Sequence, residues 1–155
     1  MKNARLHNEA ESSALDSRHS IGTFPVRVDT VTAEVLRQLI CGETLTGMDA
    51  VFAANTTRLS AYIYSLRHAY GWEIERHDIA VGTKDGRVAE IRAYYLHRGV
   101  IRQALAMDAM AFCQRVKVAR QKRRKSASKA YREADARNAR RIAAALNPHQ
   151  LPLEY

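Results

Sequence analysis

The sequence lacks any apolar run close to the roughly 20 residues that a transmembrane helix needs. Its first residues, Met1 to Arg5, lead into polar sequence and not into the apolar segment of a signal peptide. It has only two cysteines, Cys41 and Cys113, which are far apart and fit no CxxC or zinc-finger spacing. We therefore expect a cytoplasmic protein with no membrane partner, no metal and no disulfide, whose reduced thiols pack as small apolar groups.

Signals of catalysis are also missing. The six histidines show no HExxH or other paired-ligand spacing, and the acidic residues form no obvious dyad. There is no glycine-rich phosphate loop. We therefore expect no enzymatic activity, no catalytic residue and no cofactor.

Acidic residues are scarce in the C-terminal part of the chain. The net charge is +9, but residues 101–146 hold 13 Lys or Arg against 3 Asp or Glu, a local balance of +10. The remainder is nearly neutral, at −1. A neutral globular part followed by a basic arm points to a polyanionic partner, most often nucleic acid in a cytosolic protein. An acidic membrane is disfavoured because the most basic section has no strong aromatic or leucine face.

Helical periodicity predicts two short helices after residue 28. Asp29 or Thr30 can cap the first, which ends at Gly42. Thr46-Gly47-Met48-Asp49 has the form of a capping box and starts the second. The apolar residues of the two helices are Val31, Val35, Leu36, Leu39 and Ile40, and then Ala50, Val51, Phe52, Ala53 and Ala54.

A third helix is predicted within residues 55–70, after a very short turn in which Asn55 and Thr56 interrupt the second helix and cap the third. Leu59, Ile63, Leu66 and Tyr70 form an apolar stripe that can be buried. The opposite face has small polar groups, a tyrosine and cations but no acid, which suits a DNA major groove; an ordinary amphipathic core helix is the alternative. The candidate DNA contacts are Thr56, Thr57, Arg58, Ser60, Ala61, Tyr64, Arg67 and His68.

Beyond residue 71 the apolar period changes from 3.6 to 2, which indicates strands. The first strand is predicted over Trp72–Glu75 and Ile79–Val81 with a polar interruption between them, and the second over Val88–Leu96. Asp85-Gly86 predicts a hairpin turn with positive φ at both central positions. The candidate contacts to phosphates or a minor groove at the hairpin tip are Lys84 and Arg87, with loop solubility as the alternative.

Residues 31–96 resemble a small winged helix-turn-helix family found in bacteriophage, prophage and plasmid proteins. The resemblance implies an α+β, mostly helical fold with three helices and a β-hairpin wing, and binding of double-stranded DNA through the third helix. Family members usually stop near the wing, so it implies nothing about the basic arm. It is carried by Leu45-Thr46-Gly47-Met48-Asp49-Ala50, Thr57-Arg58-Leu59-Ser60-Ala61-Tyr62-Ile63, Leu66-Arg67, Gly71-Trp72-Glu73-Ile74-Glu75, Asp85-Gly86-Arg87-Val88-Ala89 and Tyr94-Tyr95-Leu96.

We expect four segments: a flexible N-terminal tail at 1–28, the winged domain at 29–98, a basic helical arm at 99–146 and a loose C-terminus at 147–155. The arm is predicted as helix from about residue 100, with a break permitted at Ser126-Ala127-Ser128. Its apolar stripe, close to a coiled-coil seam, is Ile101, Leu105, Ala109, Phe112, Val116 and Ala119.

The first half of the arm is assigned to packing on the domain or to dimerisation. We favour a homodimer, because sites for helix-turn-helix proteins are commonly two-fold. The second half is surrounded by positive charge and is assigned to nucleic-acid phosphates. The residues concerned are Arg120, Lys122, Arg123, Arg124, Lys125 and Lys129.

Taken together, these patterns predict a sequence-specific binder of double-stranded DNA, a transcriptional regulator of a phage or other mobile element acting in a bacterial or phage-infected cell. An architectural or adaptor protein of replication or recombination is one alternative. A protein that binds RNA through its basic arm is another, although no RNP-like aromatic strand is present.

Overall fold

The computed structural model of the protein describes residues 21–145. The chain divides into a globular unit that ends at Arg120 and a second unit that begins at Gln121. The predicted tail up to residue 20 and the predicted loose segment at 147–155 lie outside the described residues. The elements are α1 (Val31–Ile40), β1 (Leu45–Thr46), α2 (Gly47–Ala54), α3 (Leu59–His68), β2 (Ile74–Gly82), β3 (Val88–Leu96), α4 (Arg98–Ala106), α5 (Ala109–Arg124) and α6 (Ala127–Ala145).

The described part of the chain is therefore α+β and mostly helical, as the sequence predicts. Helices α1 and α2 begin where their capping residues indicate. Thr30 Oγ1 accepts a hydrogen bond from Ala33 N at 3.2 Å, and Gly42 follows α1 with a φ of +83°. The capping box of α2 is complete, because Asp49 N donates to Thr46 Oγ1 at 3.3 Å and Thr46 N donates to the Asp49 carboxylate at 2.9 Å. Both caps are local, so they are readable from sequence alone.

The three strands form an antiparallel sheet in the order β1-β3-β2. Strand β3 has the predicted bounds, but the predicted interruption of the first strand is wrong: β2 pairs with β3 without a break from Ile74 to Gly82. The polar residues 76–78 are tolerated because β2 is an edge strand and their side chains are exposed.

The hairpin turn also differs from the predicted geometry. Only Gly86 has positive φ, at +80°, while Asp85 does not. Thr83 N donates to Arg87 O at 2.8 Å, and Gly86 N donates to Thr83 O at 3.0 Å. The loop is thus a turn followed by a left-handed glycine, the three-residue form of hairpin, and not a two-residue turn with both central residues at positive φ.

Residues 21–28, predicted as part of a flexible tail, pack against the core of the globular unit. The indole nitrogen of Trp72 donates to the carbonyl oxygen of Thr23 at 2.8 Å. The Phe24 ring lies 4.8 Å from the Phe112 ring and 5.5 Å from the Trp72 ring, measured between centroids. The segment is short and aperiodic, so its sequence does not show that its aromatic side chain has a place in the core.

The predicted arm is not one continuous helix. It breaks at Met107 and Asp108, and Asp108 has a φ of +65°. On α5, Ala109, Phe112 and Val116 are at most 1% exposed and belong to the hydrophobic core of the globular unit. The predicted domain boundary at residue 98 is therefore wrong, because the globular unit extends to Arg120.

The apolar stripe proposed as a dimer seam is for the most part internal core. Its spacing of three and four residues describes one buried face of a helix but not the surface that covers it. Leu105, on α4, is the exception, with 43% of its surface exposed. A homodimer remains a prediction, without this stripe as its interface.

The unit beyond Arg120 has no buried residue within its described part, 121–145. Helix α5 ends at Arg124 and α6 begins at Ala127, so the permitted break occurs there, at Lys125 and Ser126. Within α6, Arg137 forms an ion pair with Glu133 one turn away. This unit is therefore helical without a core of its own.

Candidate nucleic-acid interface

Helix α3 follows α2 after four residues, 55–58. Asn55 ends α2 in the left-handed conformation, with a φ of 55°, and its N–H donates to Ala50 O. Thr56 Oγ1 accepts from Arg58 N at 3.0 Å. Asn55 and Thr56 thus end α2 and shape the turn, but neither caps α3, contrary to the prediction. Arg58 occupies the N-cap position of α3, and no side chain caps the helix.

One face of α3 is buried as predicted. Leu59, Ile63 and Leu66 are at most 3% exposed, whereas Tyr70 lies beyond the end of the helix and is half-buried. The opposite face is exposed and has no acidic residue. Six of the eight candidate contacts lie there or just before the helix: Thr57, Arg58, Ser60, Ala61, Tyr64 and His68.

Near the end of this face, the rings of Tyr64 and His68 lie 4.1 Å apart, at 36° to each other. Tyr64 is 65% exposed, so it presents an aromatic surface to solvent. An exposed, partly stacked aromatic pair is a suitable contact for a sugar or a base methyl group.

The other two candidates, Thr56 and Arg67, are half-buried and contact the backbone. The Arg67 guanidinium donates to the Ile74 carbonyl oxygen from Nε, at 3.0 Å, and also from Nη2. Arg67 therefore ties α3 to the start of β2. Its role in the described structure is to hold the helix against the hairpin.

A groove of about 430 Å³ opens between the starts of α2 and α3 and strand β3. Thr57 and Ser60 line it together with Arg92, a cation that sequence reasoning did not single out. Arg92 is exposed, and its Nε lies 3.4 Å from the Asp78 carboxylate on the paired strand. The alternation of β3 could indicate that Arg92 is exposed, but not that β3 runs beside α3. The lining residues are Gly47, Met48, Thr57, Leu59, Ser60, Ile91, Arg92 and Tyr94.

The two cations at the hairpin tip are not equivalent. Arg87 is held by Asp85, with Nη2 2.6 Å from the carboxylate. Hydrogen bonds from Thr83 and then from Arg87 hold the pKa of the Asp85 carboxyl below its ordinary value. Lys84 is exposed and makes no ion pair with any residue in the range 21–145. The uncompensated positive charge of the tip is therefore that of Lys84.

The six basic candidates of the arm also differ. Arg120 belongs to the globular unit, is half-buried, and donates from Nη2 to the Ala54 carbonyl oxygen at 3.2 Å. It satisfies a carbonyl at the C-terminal end of α2, where a cation is favourable, and so is not a freely exposed contact as predicted. The exposed candidates are Lys122, Arg123, Arg124, Lys125 and Lys129.

Glu34, on α1, is the one charged residue among residues 21–145 that is buried, with 3% of its surface exposed. Its carboxylate accepts from Arg37 Nη2 at 3.0 Å and from Gln38 Nε2 at 2.9 Å. Burial alone would raise the pKa of Glu34, but these hydrogen bonds and the charges of Arg37 and Arg120 outweigh burial and lower it. The ionised carboxylate is thus paired within the core by Arg37 and Gln38.

Among residues 21–145, no group of three or more His, Cys, Asp or Glu side chains is placed to hold a metal ion. No helix in the same range has the length and apolar composition needed to cross a bilayer. Comparisons of the chain with protein-family models, with curated proteins and with solved structures found no match. The interface is therefore characterised by the geometry and charge of its own residues.

Proposed function

We propose that the protein is a winged helix-turn-helix that binds specific sites on double-stranded DNA and regulates transcription for a phage or other mobile element. The element order α1-β1-α2-α3-β2-β3 and the sheet order β1-β3-β2 support it. In such a domain the second helix braces the third, which enters the major groove. The hairpin would be the wing, and a bacterial cytoplasm would be the site of action.

The observation that carries the proposal is the exposed face of α3. This face has hydroxyl groups, an arginine and an aromatic pair but no acid, and it follows a turn of only four residues. Because no side chain caps α3, the backbone N–H groups of Leu59 and Ser60 would be available to phosphate oxygens, whereas that of Ala61 donates to Arg58 O at 3.0 Å. Arg58 and Ser60 would read base edges, while Thr57 and Arg92 would contact the backbone.

Selection from random DNA duplexes is the direct test of this proposal. We expect enrichment of one short motif, with binding that weakens steeply as salt increases. Strong, salt-sensitive binding without an enriched motif would instead indicate an architectural protein. Tighter binding to RNA than to duplex DNA of equal length would indicate that the protein binds RNA through its basic arm.

Arg58→Ala should weaken binding to the selected motif by about 1–3 kcal/mol, the value of a good bidentate base contact. Binding to random duplex should change much less, because phosphate contacts remain. Fluorescence anisotropy on both duplexes measures the difference. Arg98→Ala, which removes an exposed arginine of α4, is the matched control and should leave the discrimination intact. Equal losses of affinity for both duplexes would show that Arg58 contacts a phosphate and not a base.

Lys84→Ala should make the dependence of log K on log salt less steep by about 0.9, the slope lost with one phosphate contact. Arg87→Ala should change the slope less, because Asp85 already compensates its charge. Titrations of a random duplex at several salt concentrations give both slopes. If neither substitution alters the slope, the hairpin tip does not contact DNA.

A further inference from the structure

Strand β2 lies at the edge of the sheet: one of its sides is paired with β3, and the other is paired with no strand of residues 21–145. The open side of an edge strand carries backbone N–H and C=O groups that can pair with another strand. β2 has nine residues, whereas β1, at the opposite edge, has only two. The open side of β2 is therefore the longest unpaired stretch of strand in the described part of the chain.

The backbone groups that face this open side belong to every second residue of β2. Thr83 N donates to Arg87 O at 2.8 Å, so the backbone of Thr83 faces β3. Hydrogen-bonded and non-hydrogen-bonded pairs alternate along antiparallel strands, and the register of β2 and β3 has no break. Residues of β2 with even numbers therefore direct their backbone groups away from β3. Ile74 agrees with this, because its carbonyl oxygen accepts from Arg67 and its N–H donates to Trp72 O.

Arg67 occupies the first part of this edge. Because its guanidinium already binds the Ile74 carbonyl oxygen, the stretch that is open to another strand is 76–82. Ile79 is the midpoint of this stretch. Two residues with outward backbone groups lie on each side of Ile79, and all four are exposed: Arg76, Asp78, Ala80 and Gly82.

We propose that β2 pairs with β2 of a second copy of the chain, antiparallel and with the two-fold axis at Ile79. Arg76 then lies opposite the partner's Gly82, and Asp78 lies opposite the partner's Ala80. Every outward residue of the stretch meets an outward residue of the partner, so the pairing exchanges about eight backbone hydrogen bonds, two for each pair. The two sheets become one sheet across the axis.

The charges of the edge favour a second copy as the occupant. Arg76 and Asp78 both lie before Ile79, and the outward residues after it have no charge. The two-fold pairing therefore places the charged half of each strand beside the uncharged half of its partner, and no like charges lie directly opposite each other. An axis at Asp78 would instead place the two Asp78 carboxylates opposite each other.

The apolar side chains favour the same register. Ile79 lies opposite Ile91 of β3, and both are half-buried. With the axis at Ile79, the two copies of Ile79 form a non-hydrogen-bonded pair, in which side chains approach each other most closely. Ile79 and Ile91 of both copies then form one row across the axis, on one face of the sheet. The contact covers apolar surface that is accessible in the single chain.

An axis at His77 is the main alternative register, because it would place Arg76 opposite the partner's Asp78. The partner's Ala80 would then lie opposite Ile74, whose carbonyl oxygen already accepts from Arg67. Half as many pairs of outward residues would be complete as with the axis at Ile79. The backbone therefore favours Ile79 as the centre.

Cysteine cross-linking of the free full-length protein, without DNA, tests this register. The background is Cys41→Ser, because Cys41 is exposed whereas Cys113 is buried. Ile79→Cys places two thiols at the axis, where Cα atoms about 4.5 Å apart permit a disulfide. His77→Cys is the matched control on the same face of β2. Its two copies would be about 13 Å apart, since each lies four residues from the position opposite the other.

Mild oxidation should link the Ile79→Cys chains at least about tenfold faster than the His77→Cys chains, because only the first pair is within disulfide range. Non-reducing electrophoresis measures both rates. Equal rates would show that random collisions form the disulfide, and faster linking of His77→Cys would place the axis at His77. Either result would overturn the proposed pairing.

A proline variant separates this interface from folding. Ala80→Pro removes an N–H that faces away from β3, so the hairpin keeps its own bonds. The pairing between copies loses about two hydrogen bonds, and the dissociation constant of the dimer should increase on the order of 30-fold. Ala80→Ser keeps the N–H and should dimerise like the wild type. Sedimentation equilibrium measures the constants, and circular dichroism checks that each variant is folded.

Two results of these measurements would contradict the proposal. One is a wild-type protein that remains monomeric up to about 1 mM, the weakest association that would still count as a dimer. The other is a dimer that Ala80→Pro leaves as tight as before, which would place the interface elsewhere on the chain.

Discussion

Phe112→Ala should lower the free energy of unfolding by about 3–5 kcal/mol, the range for truncating a large aromatic side chain in a packed core. Phe112 is 1% exposed and stacks on Phe24 at 4.8 Å between ring centroids. The substitution would leave a cavity between α5 and the N-terminal segment that the backbone can close only in part. Domains of this size have a free energy of unfolding of about 5–15 kcal/mol, so Phe112→Ala would remove a large part of it.

Urea unfolding followed by circular dichroism measures this loss. Met110→Ala is the matched control, because Met110 lies on the same helix and is 67% exposed. It should change the stability by no more than about 0.5 kcal/mol. The outcome separates a core helix from a dimer seam: at a dimer seam, the wild-type midpoint would depend on protein concentration, and Phe112→Ala would produce a stable monomer whose midpoint does not. Such a result would contradict the internal packing of α5.

Neutralising the basic run with Lys122→Gln, Arg123→Gln, Arg124→Gln and Lys125→Gln should weaken binding to any duplex by on the order of a hundredfold at low salt. All four side chains are exposed, and glutamine keeps a helix propensity close to that of lysine and arginine. The dependence of log K on log salt should become less steep by about 3–4, because four phosphate contacts would be lost. Preference for the selected motif over random duplex should remain.

Titrations of the selected and the random duplex across a range of salt concentrations measure both effects. Arg123→Lys with Arg124→Lys keeps the charge and should bind like the wild type, since a general phosphate contact does not need the bidentate fork. An unchanged salt slope in the fourfold variant would show that the run faces solvent or a protein. A larger loss for RNA than for DNA would favour the RNA alternative.

The features that sequence predicts well here have local causes. The Thr30 cap and the Thr46–Asp49 capping box depend on residues within three positions of each other. The bounds of β3 follow from its period and from the glycine in the preceding turn. The exposed face of α3 follows from its buried stripe, because the period of a helix fixes both faces at once.

The features that sequence did not predict depend on contacts between distant parts of the chain. An apolar stripe shows that α5 buries one face, but not that its own globular unit covers that face. The sequence shows the charges of Arg67 and Arg120, and the charges alone predict contacts to a polyanion. It does not show that Arg67 donates to the Ile74 carbonyl oxygen and Arg120 to the Ala54 carbonyl oxygen.

The bond from Arg67 to the Ile74 carbonyl has a consequence for the size of the DNA site. It fixes α3 to the base of a hairpin whose strands are nine residues long, a reach of about 30 Å at the usual rise per residue. A helical turn of DNA is about 34 Å long. In the proposed complex, α3 and the hairpin tip would therefore be held at a fixed distance from each other. The separation of their contacts along the duplex would be set before binding, at up to about one helical turn.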